Sequence, residues 1–264
     1  MNVLVTGANG FIGRHIVRKL DTAGLHVIAA YRSINDYNRR LSSRVETYEL
    51  DLSDNVQLTV LPSKVDVIVH TAATRSAAGI TTSNMILDNI YATRNLISYA
   101  LRIGVRCFIY CSSISIHGAI EQHVINEKTP VINPDAYGLS KLMCEYLLME
   151  ASEIMPSVAL RLPGVIGPGS HSNWLSQLIE QIRQNSPLLI YNPEQLFNNA
   201  VHVEDLAAFI LRLLDISWEG FHAMPLAAAG MTTVRGAVDS LIKKTGSNST
   251  YSFIPEKKKS FTMI

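Results

Sequence analysis

Short runs of consecutive apolar residues alternate along the chain with longer stretches in which apolar positions recur every three or four residues. Val3–Val5 predicts a strand and Ile12–Leu20 an amphipathic helix. His26–Ala30, Val65–Val69, Cys107–Tyr110 and Val158–Leu162 predict further strands, and Asn84–Leu101 and Ala136–Met149 predict helices. Strands that are apolar at nearly every position are buried on both faces. Strand–helix alternation then implies a doubly wound α/β fold around a parallel sheet, with right-handed crossovers. After Leu162 the rhythm changes. Pro163-Gly164 and Gly167-Pro168-Gly169-Ser170 mark a loop. Beyond it the pattern predicts a helix over Trp174–Arg183, a strand at Leu188–Tyr191, and helices over Asp205–Leu214 and Thr233–Lys244.

The chain has 264 residues, 47% of them hydrophobic, which suits a sizeable core and excludes a disordered chain. A formal net charge of +1 argues against nucleic-acid or membrane-surface partners. No run of about 18 apolar residues is present to span a membrane, and the start of the chain lacks the pattern of a secretory leader. Cys107, Cys111 and Cys144 show no zinc-like pairing; as free thiols they fit the reducing cytoplasm. The eight histidines are scattered without a ligand motif, so no metal site is expected. No serine-hydrolase elbow appears. Asn248-Ser249-Thr250 fits a glycosylation sequon that would stay idle in the cytoplasm, and Lys257-Lys258-Lys259 reads as a solvated tail.

The candidate chemistry begins at Gly7-Ala8-Asn9-Gly10-Phe11-Ile12-Gly13, between the first strand and the first helix. In a dinucleotide-binding turn, Gly7 allows the tight bend, Gly10 lets backbone approach the pyrophosphate, and Gly13 lets helix and strand pack closely. The helix N-terminus offers unpaired N–H groups and a positive dipole end. The second strand ends in Tyr31-Arg32, without the carboxylate that would select NAD. A guanidinium there can bind a 2′-phosphate, so Arg32 favours NADP over NAD.

Tyr137 and Lys141 lie four residues apart and share one helical face. A free tyrosine titrates at about 10, and both a nearby ammonium and a helix N-terminus favour its phenolate. The pair therefore suits a general acid/base. Ser112-Ser113 close the strand at Cys107, and strand C-terminal ends face the ligand crevice in open α/β sheets. A hydroxyl there can hold a reacting oxygen.

With these motifs in this order, the sequence resembles the extended short-chain dehydrogenase/reductases of the NAD-dependent epimerase/dehydratase branch. Supporting matches include Leu50-Asp51-Leu52, His70-Thr71-Ala72-Ala73, Asn89-Ile90-Tyr91-Ala92-Thr93, Glu127 with Pro134, Arg161-Leu162-Pro163, Gly167-Pro168-Gly169 and Val201-His202-Val203-Glu204-Asp205. Most fall in the first 169 residues. The resemblance implies a Rossmann domain over residues 1–162. It also implies a mostly helical, mainly substrate-binding part over 163–264, some of whose segments return to the Rossmann domain. It implies adenine contacts at Asp51 and Leu52, pyrophosphate and ribose contacts at Ala72 and Ala73, and a dinucleotide neighbour at Asn89. Ser113 would orient the reacting oxygen, Tyr137 would act as acid/base, Lys141 would bind ribose and tune the tyrosine, and Pro163 would back the nicotinamide.

Three departures from the family pattern stand out. Ile114-Ser115 occupy the place of the dehydratases' Asp-Glu pair, so dehydration by that route lacks its acid and base. Gly164 replaces an asparagine common in epimerases, and Phe197-Asn198-Asn199-Ala200 replaces a stretch that often carries arginine. The resemblance implies a small-molecule substrate, a nucleotide sugar, undergoing 4-keto reduction or 4-epimerisation by a homodimeric enzyme. The alternatives are an NADPH-dependent reductase of a non-sugar carbonyl and a non-catalytic dinucleotide sensor.

Overall fold

The computed structural model describes residues 1–33, 42–171, 173–254 and the backbone of 262–263. The lysine run at 257–259 lies outside them. The first half contains β1 (Asn2–Thr6), α1 (Phe11–Thr22), β2 (His26–Tyr31), β3 (Val45–Glu49), β4 (Val67–His70), α2 (Thr82–Ile103), β5 (Cys107–Ser113), β6 (Val124–Ile125) and α3 (Ala136–Ala151). The second half contains β7 (Ser157–Leu162), β8 (Gly164–Ile166), α4 (Trp174–Arg183), β9 (Leu188–Tyr191), β10 (Leu196–Phe197), β11 (Ala200–His202) and α5 (Val203–Leu213). It ends with β12 (Phe221–Pro225), β13 (Thr232–Thr233), α6 (Val234–Thr245), β14 (Tyr251–Ile254) and β15 (Thr262–Met263).

Seven strands form one parallel sheet in the order β12-β7-β5-β4-β1-β2-β3. Its direction of growth reverses at β1, which pairs with β2 on one side and β4 on the other. Alternate residues serve opposite faces, as the pleat requires. Val3, Val5, Val27, Val69, Ile109 and Leu160 pack against α1 and α5 through Ile16, Leu20, Leu206 and Ile210. Leu4, Ile28, Ile68, Phe108 and Tyr110 pack against α2 and α3 through Leu96, Ala100, Cys144 and Leu148. This is the doubly wound Rossmann arrangement, with helices on both faces.

The chain after β7 does not stay apart from this sheet. β12 extends it beside β7, and α5 lies against α1, where Glu204 accepts from His15 at 2.6 Å and pairs with Arg18. A third cluster joins α4, β9 and α6 through Leu178, Ile182, Ile190 and Val238. The C-terminal part holds short two-stranded pairs besides its helices. Two strands of the main sheet, β3 and β12, arise where the apolar pattern predicts none. Both are edge strands with few buried positions, so the fully apolar signature of a central strand is missing.

Candidate active site

The turn after β1 is built by close backbone approach. Gly7 has φ +64°, and a Cβ there would stand 2.7 Å from Ala72 N. A Cβ on Gly13 would stand 2.1 Å from the Gly7 carbonyl oxygen. No side chain can occupy either place, so the first turn of α1 is held against the ends of β1 and β4. Of the six α-helices among the described residues, α1 is the one whose N-cap, Gly10, makes no side-chain hydrogen bond. Thr81, Asp135, Asn173, His202 and Thr233 each cap their helices with a side-chain acceptor. The free N–H groups of α1 suit an anion such as a pyrophosphate.

A cleft opens on both sides of this turn. One end, a cavity of about 230 Å³, is lined by Gly7, Gly10, Arg32, Asp51, Leu52, Ala72, Ala73 and Asn89. The other end, about 290 Å³, is lined by Gly7, Gly10, Phe11, Ile12, Gly13, Ala73, Ser113, Tyr137, Lys141 and Pro163. Every site residue singled out from the sequence lines one end or the other, and Gly7, Gly10 and Ala73 line both. The uncapped helix, the glycine cradle and the two-ended cleft fit a dinucleotide with its pyrophosphate at the middle.

At the first end, Arg32 Nη2 donates to Thr74 Oγ1 at 3.2 Å. Its guanidinium also lies 3.8 Å from Asp51 Oδ2 and 3.6 Å from Asp88 Oδ2. Burial pushes the Asp51 carboxyl up, but hydrogen bonds from Ser53 N–H and Oγ and the Arg32 charge outweigh it, holding it below the ordinary value. Asn89 accepts from Thr74 N–H at 2.7 Å and donates to Ser140 Oγ at 3.0 Å, tying the loop after β4 to α3.

At the second end, three segments converge. Gly138 lets α3 approach the turn after β5, since a Cβ there would stand 2.1 Å from the Ser115 carbonyl oxygen. Asp135 caps the helix by accepting from Gly138 N–H at 2.7 Å. These contacts bring Tyr137 into the cavity that Ser113 also lines. Lys141 is buried; its Nζ donates to the Cys111 carbonyl at 2.8 Å and lies 5.8 Å from the Tyr137 ring centroid. Behind it, His70 accepts at Nδ1 from Thr6 Oγ1 (2.6 Å), while Nε2 meets Thr93 Oγ1 (3.1 Å). Thr93 spends its own proton on the Asn89 carbonyl, so the His70 proton belongs on Nε2. Burial, and then the Lys141 charge, push His70 down to about 3, which keeps it neutral.

The structure adds neighbours that the sequence reading omits. Arg75 lies over the Tyr137 ring at 5.5 Å, and His171 and Asn173 reach the same cavity from the segment after β8. Arg75 follows Ala72-Ala73 closely enough for a basic residue there to be flagged; the other two depend on the path of an irregular loop. Among the described residues no carboxylate lines this end. No group of three potential metal-ligating side chains gathers among the described residues, and none of their helices is long and apolar enough to cross a membrane.

A parallel sheet with its switch point at a glycine turn, a dinucleotide-shaped cleft and a tyrosine–lysine pair at one end define a nicotinamide-dependent redox enzyme. The NAD dependent epimerase/dehydratase family model matches residues 3–222, and the chain belongs to that family. It is 27% identical to the UDP-glucose 4-epimerase of Erwinia amylovora, over 97% of this chain and 87% of that protein. It is 30% identical to the dTDP-4-dehydro-6-deoxy-D-allose reductase of a Streptomyces species, over 81% of this chain and 72% of that protein. Among solved structures, the UDP-glucuronic acid 4-epimerase of Bacillus cereus in complex with NAD superposes with a TM-score of 0.83. That match covers 100% of this chain and 89% of the other at 24% identity, a likeness of fold. The chain is an NAD-dependent oxidoreductase or epimerase.

Proposed function

We propose that this chain is a 4-epimerase of nucleotide-linked sugars that uses Tyr137 as its acid/base. The observation that carries the reading is the meeting of Ser113, Tyr137 and Lys141 at the end of a cleft whose middle is the uncapped N-terminus of α1. Gly7, Gly10, Phe11, Ile12, Gly13, Ala72, Ala73 and Pro163 hold the dinucleotide, with Arg32, Asp51, Leu52 and Asn89 around its adenosine half. A bound NAD supplies hydride acceptance and return. Tyr137 takes the proton of the sugar hydroxyl as the carbon is oxidised and gives it back when the opposite face is reduced. Ser113 Oγ orients the oxygen. Lys141, fixed by the Cys111 carbonyl, holds its ammonium 5.8 Å from the centroid of the Tyr137 ring. The absence of a carboxylate among the described lining residues argues against dehydration in the same pocket.

The expectation of NADP from Arg32 gives way to NAD in this reading. Two carboxylates already compensate the guanidinium, so a 2′-phosphate would meet a locally negative cluster. An enzyme that returns its hydride each turnover also needs no NADPH supply. The second reading, an NADPH-dependent 4-ketoreductase, is favoured by one observation: Arg32 remains 60% exposed at the end of β2. The deciding experiment incubates the protein with UDP-glucose, UDP-galactose and UDP-glucuronic acid without added reductant. Inversion at C4 with no net change in cofactor supports the epimerase. NADPH consumption on a 4-keto sugar nucleotide replaces it with the reductase, and a carbonyl substrate without a nucleotide sugar points to the non-sugar reductase.

We also propose that the residues after 163 form most of the sugar-nucleotide side of the cleft, and that the protein works in the cytoplasm, where Cys107, Cys111 and Cys144 stay reduced. Two copies pair through α2 and α3, whose outer faces expose Leu87, Tyr91, Leu139, Met143 and Tyr146 at helical spacing. Light scattering at the mass of a single chain across micromolar concentrations would refute the dimer.

A further inference from the structure

A buried pair of opposite charges lies behind the active-site wall, in a place the mechanism above does not use. Glu145 sits one turn beyond Lys141 on α3, and Arg161 sits two residues before Pro163 on β7. Arg161 Nη2 donates to Glu145 Oε2 at 2.8 Å, and its Nε donates to both carboxylate oxygens at 3.3 Å. Ser112 Oγ, the neighbour of Ser113, donates to Glu145 Oε1. Arg161 Nη1 donates to the Glu127 carbonyl at 3.3 Å. The two side chains are only 10% and 4% exposed. One network thus joins the segments that carry Ser113, Lys141 and Pro163.

Stability alone does not explain such a pair, because uncharged replacements of buried ion pairs are often neutral or stabilising. Its surroundings suggest a different role. The other titratable groups behind Lys141 and Tyr137 are held uncharged. Burial and the Lys141 charge push His70 on β4 down to about 3, and burial pushes Cys111 on β5 up to about 12. Burial likewise raises Tyr110 and Cys144 and lowers His117 in the turn after β5. From α2, Asp88 turns to Arg32; from the loop after β4, Arg75 faces the Tyr137 ring; and from the segment after β8, His171 lines the same cavity. Among the described residues Glu145 is the one buried carboxylate, and it shares a helical face with Lys141.

We infer that Glu145 and Arg161 are positioning residues for proton transfer: together they lock β5, α3 and β7 in register, and Arg161 cancels a carboxylate that would otherwise oppose the Lys141 ammonium at Tyr137. The inference rests on the acid/base reading of Tyr137. Its distinguishing consequence is electrostatic. Replacing Glu145 by glutamine preserves shape but strands a guanidinium that stays charged. One uncompensated positive charge beside Glu145, a helical turn beyond Lys141, favours phenolate at Tyr137 and should move its titration to lower pH by roughly half to one unit.

The test follows the ultraviolet phenolate absorbance of the full-length protein with saturating NAD against pH, taking the difference between each form and its Tyr137→Phe counterpart. Glu145→Gln should titrate lower than the natural protein, and the double variant Glu145→Gln with Arg161→Met should return to the natural midpoint. An unmoved or raised midpoint in Glu145→Gln, or a double variant that fails to return, overturns the inference. If Glu145→Gln does not fold, Glu145→Met with Arg161→Met replaces it, and a midpoint different from the natural one overturns the inference instead. Turnover by Tyr137→Phe equal to the natural protein would sink the acid/base reading itself, an outcome separate from the pair's failure.

Discussion

Replacing Gly13 by alanine sets two physical effects against each other. Gly13 lies in α1, where alanine is favoured over glycine by about 1 kcal/mol in an unconstrained helix. Here, however, the added Cβ would stand 2.1 Å from Gly7 O, 2.8 Å from Gly7 C and 2.9 Å from Ala8 Cα. All three atoms are backbone, so no rotamer change relieves the overlap. Reaching ordinary contact near 3.5 Å requires the helix and the β1 turn to separate by more than an ångström. Overpacking typically costs about 1–3 kcal/mol, and because all three clashing atoms are backbone the upper part of that range applies, leaving a net loss of about 1–2 kcal/mol after the helix gain. The same separation moves the free N–H groups of α1 away from the pyrophosphate position. Thermal unfolding with and without NAD reads both effects, since stabilisation by a ligand follows its concentration relative to Kd. The expected result is a lower midpoint without ligand and a smaller shift with NAD. An unchanged or raised midpoint with the full NAD shift would refute the argument that backbone proximity at Gly13 builds the site.

Two further perturbations follow from the same geometry. His70 is neutral when folded and titrates near 3, below its ordinary value, so only the unfolded chain takes up a proton as pH falls below about 6.5. Its contribution is therefore complete above that pH and is lost on acidification, with a slope approaching 1.4 kcal/mol per pH unit. Denaturant titrations from pH 7 to 4 should show that slope reduced in His70→Gln, and an equal slope would contradict it. Asp135→Ala removes the cap on α3 and should cost about 1 kcal/mol by denaturant titration, together with weaker positioning of Tyr137; unchanged stability would show that water replaces the cap freely.

Much of this molecule is legible in its order of residues because its central strands are buried on both faces. β1, β2, β5 and β7 each hold a run of consecutive apolar positions, and α1 and α5 carry a clear 3.6-residue rhythm. β3 is not legible for the opposite reason. Its sequence Val-Glu-Thr-Tyr-Glu buries only Val45, and its pairing with β2 comes from backbone hydrogen bonds that leave no side-chain pattern. The glycine turn, Ser113 and the Tyr137–Lys141 pair can be read because each is local, with residues close in the chain acting together. Arg32 shows the limit of that reasoning. A guanidinium at a strand end suggests a phosphate site, but its electrostatic partners Asp51 and Asp88 come from other elements and meet it only through the sheet. The Glu145–Arg161 pair is hidden for the same reason: one charge is on a helix and the other inside an apolar strand. Likewise, nothing local indicates that Lys141 would be anchored by the Cys111 carbonyl.

The central claim is that the phenol of Tyr137 exchanges a proton with substrate beside the bound cofactor. The most direct measurement is the rate of transient NAD reduction by a UDP-hexose that the natural protein turns over, compared in Tyr137→Phe, with NAD affinity determined on both. Loss of the hydroxyl should slow hydride transfer by about 100-fold or more while the variant still binds NAD. A variant that reduces bound NAD at the natural rate would contradict the account.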